Sequence, residues 1–168
     1  AHLMGPEGCA IFFCSGRAMR HVHPAAIGWA SVQTSHDFLD YDTALHQDAR
    51  RFETGTQNTV GIAGTKAAVD LLLELGMDTV EARILSLTDR LVQGLTPAGY
   101  EVLSSRLPDE KSGIVTCRRP ESESSTQIAA RLHEAGVMIT DRGGWLRLSP
   151  HVYNTEEEID QALALMDC

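Results

Sequence analysis

The sequence predicts an α+β fold, helices packed on a short sheet, and three observations carry that expectation. From Thr59 onward apolar residues recur at helical spacing, as in Ile84, Leu87, Leu91 and Leu95. Short β-type runs such as WLRLS at residues 145–149 are interleaved with those helices. Ser124 and Thr155 each stand three positions ahead of a Gln or Glu at the head of an apolar period, the signature of a capping box. A chain of 168 residues can bury one core and carry an appendage, so the core is assigned to residues 59–168 and the appendage to residues 1–58.

The elements follow in order. CAIFFC at residues 9–14 is a short apolar run flanked by glycines and predicts a buried strand. Residues 15–58 have no regular period, yet Ile27, Trp29, Phe38, Leu39 and Tyr41 would not stay unpacked in water. This stretch is therefore expected to cross a partner surface. Helical spacing begins at Thr59, with Val69, Leu72, Leu73 and the neighbouring alanines on the buried face and Gly76 closing the run. Asp78 and Glu81 predict a capping box for a second helix, whose apolar face runs to Pro97. Residues 100–103 and 113–117 read as strands. Ser124 and Gln127 open a helix that buries Ile128 and Leu132 and stops at Gly136. Residues 137–140 and 145–149 form a strand pair about the turn Asp141-Arg142-Gly143-Gly144. Thr155 and Glu158 open the last helix, with Ile159, Ala162, Leu163 and Met166 on its core face.

Composition excludes several classes. A net charge of −9 and only two lysines, Lys66 and Lys111, argue against a nucleic-acid or anionic-membrane surface. No apolar stretch is long enough for a transmembrane helix, and no basic segment precedes an apolar run as in a signal peptide. The abrupt opening AHLMGPEGCAIFFC is expected of a piece of a longer protein. Cys9, Cys14, Cys117 and Cys168 lack CxxC or zinc spacing and are expected to be free, mostly buried thiols in a reducing compartment. His21 and His23 stand as HxH before Pro24, a loop pattern rather than a metal site, and no metal is expected.

Two places could carry chemistry. Alternation along WLRLS puts Leu146 and Leu148 on one face and Trp145, Arg147 and Ser149 on the other. An arginine inside a short apolar strand is costly unless it meets a carboxylate. That carboxylate is either a neighbouring Glu or a substrate gripped bidentately. ETGTQN at residues 53–58 precedes the first long helix, where backbone N–H groups favour an anion such as phosphate; a Thr-rich helix cap is the alternative. The turn Gly5-Pro6-Glu7-Gly8 indicates only a tight turn. No Ser-His-Asp, HExxH or nucleotide-loop pattern stands out.

HLMGPEGCAIFF at residues 2–13, Gly28-Trp29, RFETGTQN at residues 51–58 and LRLSPHVYNTEEEID at residues 146–160 occur in one order and at matching intervals. Over essentially its whole length the chain resembles the class V aminotransferases, enzymes of fold type I that depend on pyridoxal 5'-phosphate (PLP). The resemblance implies the α/β type I PLP-transferase family, with residues 59–168 as the C-terminal small domain. Residues 1–58 would be a remnant of the large PLP-binding domain and its crossing segment. It further implies a cytoplasmic homodimer whose full-length form uses PLP to act on the α-carbon of an amino acid, by transamination or epimerisation. Thr56 would contact the cofactor phosphate of the opposite subunit and Arg147 the substrate α-carboxylate. His151, Tyr153 and Asn154 would be structural.

The chain departs from the family pattern twice. The Schiff-base lysine is expected at or next to Ala1, where no lysine stands; alanine can neither bond the cofactor nor move a proton. Lys66 and Lys111 are unsuited to replace it, so the chain by itself is expected to be inactive and not to bind PLP. Cysteine desulfurases of this family carry a catalytic cysteine shortly before the carboxylate-binding arginine, and GVMITDRGGWLRLS has none. Persulfide chemistry is therefore not expected, and the SPHVYNT ending is most similar to isopenicillin N epimerase-like and generic aminotransferase members. A non-catalytic binding or assembly module is the rival; it would fold residues 15–58 back on their own core, whereas an enzyme portion would leave apolar surface exposed.

Overall fold

Gly76, at a φ of +83°, separates helix α1 (Thr59–Leu75) from α2 (Met77–Leu95), a conformation glycine adopts without a steric penalty. The computed structural model describes residues 3–37, 39–119 and 123–167. The chain falls into two units, Ala1–Leu71 and Leu72–Cys168, with the division inside α1.

The first unit is built from turns more than from regular structure. It contains short 3-10 helices at Ala18–Arg20 and Ala49–Phe52 and an isolated antiparallel bridge between Val32 and Leu45. Carboxylates organise the loops locally: Asp37, Asp40, Asp42 and Asp48 each accept the backbone N–H two residues on. The expected strand at residues 9–14 does not form, and Ile11 and Phe13 are 78% and 84% exposed. A buried strand needs neighbours to pair with, and among the described residues of this unit the Val32–Leu45 bridge is the β-pairing present. Val22, Ile27, Trp29, Leu39 and Tyr41 are exposed as well; Phe38 lies outside the described residues.

The glycine-rich N-terminal turn packs on the start of α1. A Cβ on Gly64 would come within 2.8 Å of the Pro6 ring, and one on Gly5 within 3.0 Å of the Thr65 hydroxyl. Asn58 caps the helix: its Oδ1 accepts from Gly61 N–H at 2.9 Å and its carbonyl from Ile62 N–H at 2.9 Å. Asn58 Nδ2 donates to the Gly8 carbonyl at 3.3 Å, tying turn and helix together. Among the described residues Thr56 and Thr59 make no side-chain hydrogen bond there, so the cap is an asparagine rather than a threonine.

The second unit is a four-stranded antiparallel sheet of order β1-β2-β4-β3, from β1 (Glu101–Val102), β2 (Val115–Arg118), β3 (Thr140–Asp141) and β4 (Leu146–Leu148). Two further helices, α3 (Ser125–Glu134) and α4 (Glu156–Met166), join α2. Leu87, Leu91 and Leu95 of α2, Ile128 and Leu132 of α3, Ile159 and Met166 of α4 and the sheet residues Val115, Cys117, Leu146 and Leu148 form one buried cluster. Two of the three predicted capping boxes are present, Ser124 with Gln127 and Thr155 with Glu158. Asp78 and Glu81 form none. Gly76 takes the N-cap position and its carbonyl accepts from Val80 N–H at 3.0 Å, which places Asp78 inside the first turn. Leu73 is exposed while Leu72 is buried, so the buried stripe of α1 is narrower than its composition predicts. Residues 137–139 stay outside β3, which pairs with β4 over Thr140 and Asp141.

Helices α2 and α4 are held by charge and by close approach. Arg90 grips Asp160 at 2.6 Å and Glu156 at 3.1 Å, and Arg83 reaches Glu156 at 3.2 Å. A Cβ on Gly94 would lie 2.5 Å from Leu163 Cδ1. Tyr100 closes the end of the core by donating its hydroxyl to the Met166 carbonyl at 2.9 Å. No described helix is long and apolar enough to cross a membrane.

Candidate functional site

Arg147 sits in the middle of β4, a strand hydrogen-bonded on both sides. Its register partners are Thr116 of β2 and Thr140 of β3. Leu146 and Leu148 point into the core, so the pleat turns Arg147 to the opposite face, where it is half-buried. Its neighbour on that face, Trp145, lies under the Arg118 guanidinium at 4.4 Å, and Arg118 is paired with Glu101 at 2.8 Å. The Arg147 side chain makes no hydrogen bond or ion pair among the described residues. Of the two sequence readings, the intramolecular Glu partner is therefore not realised there. A guanidinium presents a planar fork of donors, a shape that matches a carboxylate.

The segment after β4 is a hydrogen-bonded turn. Asn154 Oδ1 accepts from His151 N–H at 2.8 Å, its Nδ2 donates to Glu158 at 3.0 Å, and its carbonyl accepts from Arg83 at 3.0 Å. The His151 and Tyr153 rings stack at 5.4 Å. These contacts give His151, Tyr153 and Asn154 the work of holding the entry to α4.

In the first unit, the loop before α1 presents Thr56. Its hydroxyl, and the backbone N–H groups of Thr56 and Gln57, meet no acceptor among the described residues. The loop is set in place by close backbone contact: a Cβ on Gly28 would fall 1.9 Å from the Thr54 carbonyl oxygen, and one on Gly55 would fall 3.2 Å from Trp29 Nε1. Gly28 is thus a position where no side chain fits. Beside the loop lies a cavity of about 410 Å³ lined by residues that include Trp29, His36, His46, Arg50, Thr56 and Thr59. Sequence reading marked Gly28-Trp29 and the loop, but not His36 or His46; their side chains come to the loop from a stretch without period.

The remaining reactive groups are occupied or sealed. Lys66 pairs with Asp70 at 2.5 Å within α1. Lys111 pairs with Asp89 at 2.8 Å, and the hydrogen bonds from Lys111 and then Arg106 hold the Asp89 carboxyl below its ordinary range. Cys117 is buried on the core face of β2, and that burial pushes its thiol up to about 12. Cys9 and Cys14 are half-buried rather than buried, for the want of strand neighbours at residues 9–14; Cys168, like Ala1, lies outside the described residues. No group of three or more His, Cys, Asp or Glu is placed to hold a metal among the described residues.

The thiol's position makes a prediction. At pH 8 Cys9 and Cys14 react with a disulfide reagent in minutes, whereas Cys117 reacts only after denaturant is added. Because its folded value is raised, the protonated thiol's contribution to stability is intact below about pH 8.5, the unfolded value, and is lost as pH rises toward 12. Thiol counting with and without urea checks the first point; a Cys117 that reacts as fast as Cys9 in the folded chain overturns it.

The aminotransferase class-V family model matches residues 1–162. An uncharacterized aminotransferase of Bacillus subtilis, YcbU, is 26% identical over 162 residues, covering 96% of this chain and 41% of its own length. The isopenicillin N epimerase of Streptomyces clavuligerus is 26% identical over 98% of this chain and 44% of its own length. Among solved structures, the cysteine desulfurase CsdA of Escherichia coli superposes with a TM-score of 0.79 at 20% identity, over 98% of this chain and 43% of its own, a likeness of fold. The chain thus spans about two fifths of the length of the curated relatives it matches. With its α+β architecture of four helices and a small antiparallel sheet, part of the larger fold of the PLP-dependent enzymes it superposes on, the chain belongs to the aminotransferase class-V family.

Proposed function

We propose that this chain is the C-terminal portion of a PLP-dependent enzyme that acts on the α-carbon of an amino acid, by transamination or epimerisation. Residues 59–168 are its small domain, and residues 1–58 belong to its large domain and crossing segment. The observation that carries the reading is Arg147, half-buried on a strand paired on both sides and without a partner carboxylate among the described residues. A buried-side cation left open in this way is costly unless a ligand completes it.

The donor sets fit the substrate and the cofactor. Arg147 grips the α-carboxylate and fixes the orientation of the substrate's Cα–H bond. Thr56, with the free N–H groups beside it, takes the cofactor phosphate of the opposite subunit in a cytoplasmic homodimer. When bound, PLP supplies the electron sink for the α-carbon. Cys117, inside the core and far from its reactive state, is unsuited to persulfide chemistry. The exposed Val22, Ile27, Trp29, Leu39 and Tyr41 favour the enzyme portion over the stand-alone module, which would have buried them.

By itself the chain is inactive: no lysine stands at or next to Ala1, where the cofactor-bonding lysine is expected, and Lys66 and Lys111 stand elsewhere, each paired with a carboxylate. Mixing it with PLP and reducing with borohydride should give no visible band and no modified peptide. A reduced adduct at Lys66 or Lys111 would show that the chain carries its own cofactor-bonding lysine, and the reading of an inactive portion would fall.

A further inference from the structure

We infer that Ser31 is the positioning residue of the Thr56 loop. It is a fully buried polar side chain in a unit that is otherwise largely exposed. Its hydroxyl donates to the Glu53 carbonyl at 2.7 Å and accepts from Gly28 N–H at 3.0 Å. Its backbone N–H donates to the Gly28 carbonyl at 2.9 Å, and its own carbonyl accepts from His46 N–H at 3.0 Å. One residue therefore ties together three stretches that are far apart in sequence: Gly28-Trp29, His46 and the Glu53 end of the loop.

The geometry explains why the tie matters to Thr56. Glu53 is the residue at which the loop begins, and the next carbonyl, that of Thr54, lies against Gly28 too closely for any Cβ. Gly55 in turn rests on the Trp29 indole edge. The loop is thus pressed onto the Gly28-Trp29 pair, and the Ser31 hydroxyl, bonded to both sides of that contact, is the clamp. Without it, the Gly28 N–H and the Glu53 carbonyl lose their shared partner, and the loop's angle on the start of α1 is no longer fixed. The N–H groups of Thr56 and Gln57, proposed to hold one anion, would then shift with the loop. This inference rests on the proposed reading of the loop as a phosphate holder; Ser31 touches no ligand and acts through the loop.

The test uses the whole chain, isotopically labelled, with inorganic phosphate as the probe. In Ser31→Ala the amide resonances of Gly55, Thr56 and Gln57 shift, and the His46 amide exchanges about tenfold faster, as for loss of a buried hydrogen bond. Amides of α2 such as Leu91 are unchanged. Half-saturation of the loop by phosphate moves up about tenfold, the size of one such bond. Should Ser31→Ala fail to fold, Ser31→Cys keeps the volume with a weaker donor and must move the same loop resonances. Loop resonances that stay in place in the variant that folds, or an unchanged half-saturation where the wild-type loop does bind phosphate, overturn the inference. A wild-type loop that ignores phosphate, together with a variant loop that is displaced, sinks the phosphate reading and leaves Ser31's positioning role standing.

Discussion

Replacing Arg147 with glutamine in the complete enzyme is expected to lower kcat/KM for its amino-acid substrate by about 10²-fold, since a charge-assisted bidentate contact is worth about 1.5–3 kcal/mol per bond. Most of the loss falls on KM, because the carboxylate is held before and during reaction alike. Lysine recovers little: it offers a point charge where the strand presents a planar fork. The same substitution should change folding stability by no more than about 0.5 kcal/mol, because no interaction within the described chain is lost. Steady-state kinetics alongside urea unfolding separate the two effects. A variant that unfolds easily but keeps its KM would assign Arg147 to the architecture and remove it from the site.

Leu87→Ala carries the largest expected loss of stability, about 2–5 kcal/mol for a leucine truncated inside a packed core. Leu87 is fully buried on α2, within the cluster that joins α2, α3, α4 and the inner face of the sheet. With a domain's whole stability at about 5–15 kcal/mol, one such cavity leaves little margin. Each unit holds a single tryptophan, Trp29 in the first and Trp145 in the second, so fluorescence can follow them apart. In a Trp29→Phe background, the transition seen by Trp145 should move to clearly lower urea. An unmoved transition would mean that the cluster is not the folding core of the second unit.

How much could be read beforehand follows from how far the determining contacts reach. The capping boxes at Ser124 and Thr155 are closed by residues three positions away, and both were legible. So was the alternation that turns Arg147 away from Leu146 and Leu148, because a pleat has a fixed period. CAIFFC misled because apolarity says that a segment seeks cover without saying what form that cover takes; Ile11 and Phe13 have found none within their unit. Asp78 misled because a glycine at positive φ two residues earlier had already set the start of α2. Ser31 gave no signal at all. Its partner at Glu53 is 22 residues away, and a single serine in an aperiodic stretch looks like any other loop residue. Thr56 stands in a motif that the sequence displays, whereas the absence of a carboxylate beside Arg147 depends on how distant strands pair.

The central place of β4 in the sheet carries a consequence for where ordering entropy is spent. A strand paired on both flanks opens only when most of its sheet opens, so the Arg147 amide should be among the slowest to exchange in its unit. The Thr56 loop has no such ladder; it is held by the Ser31 hydroxyl and by the close approach of Thr54 to Gly28. On the proposed reading, the carboxylate grip would rest on a laddered strand and the anion loop on a single clamp. Opening the first would cost much of the sheet, whereas opening the second would cost a few hydrogen bonds.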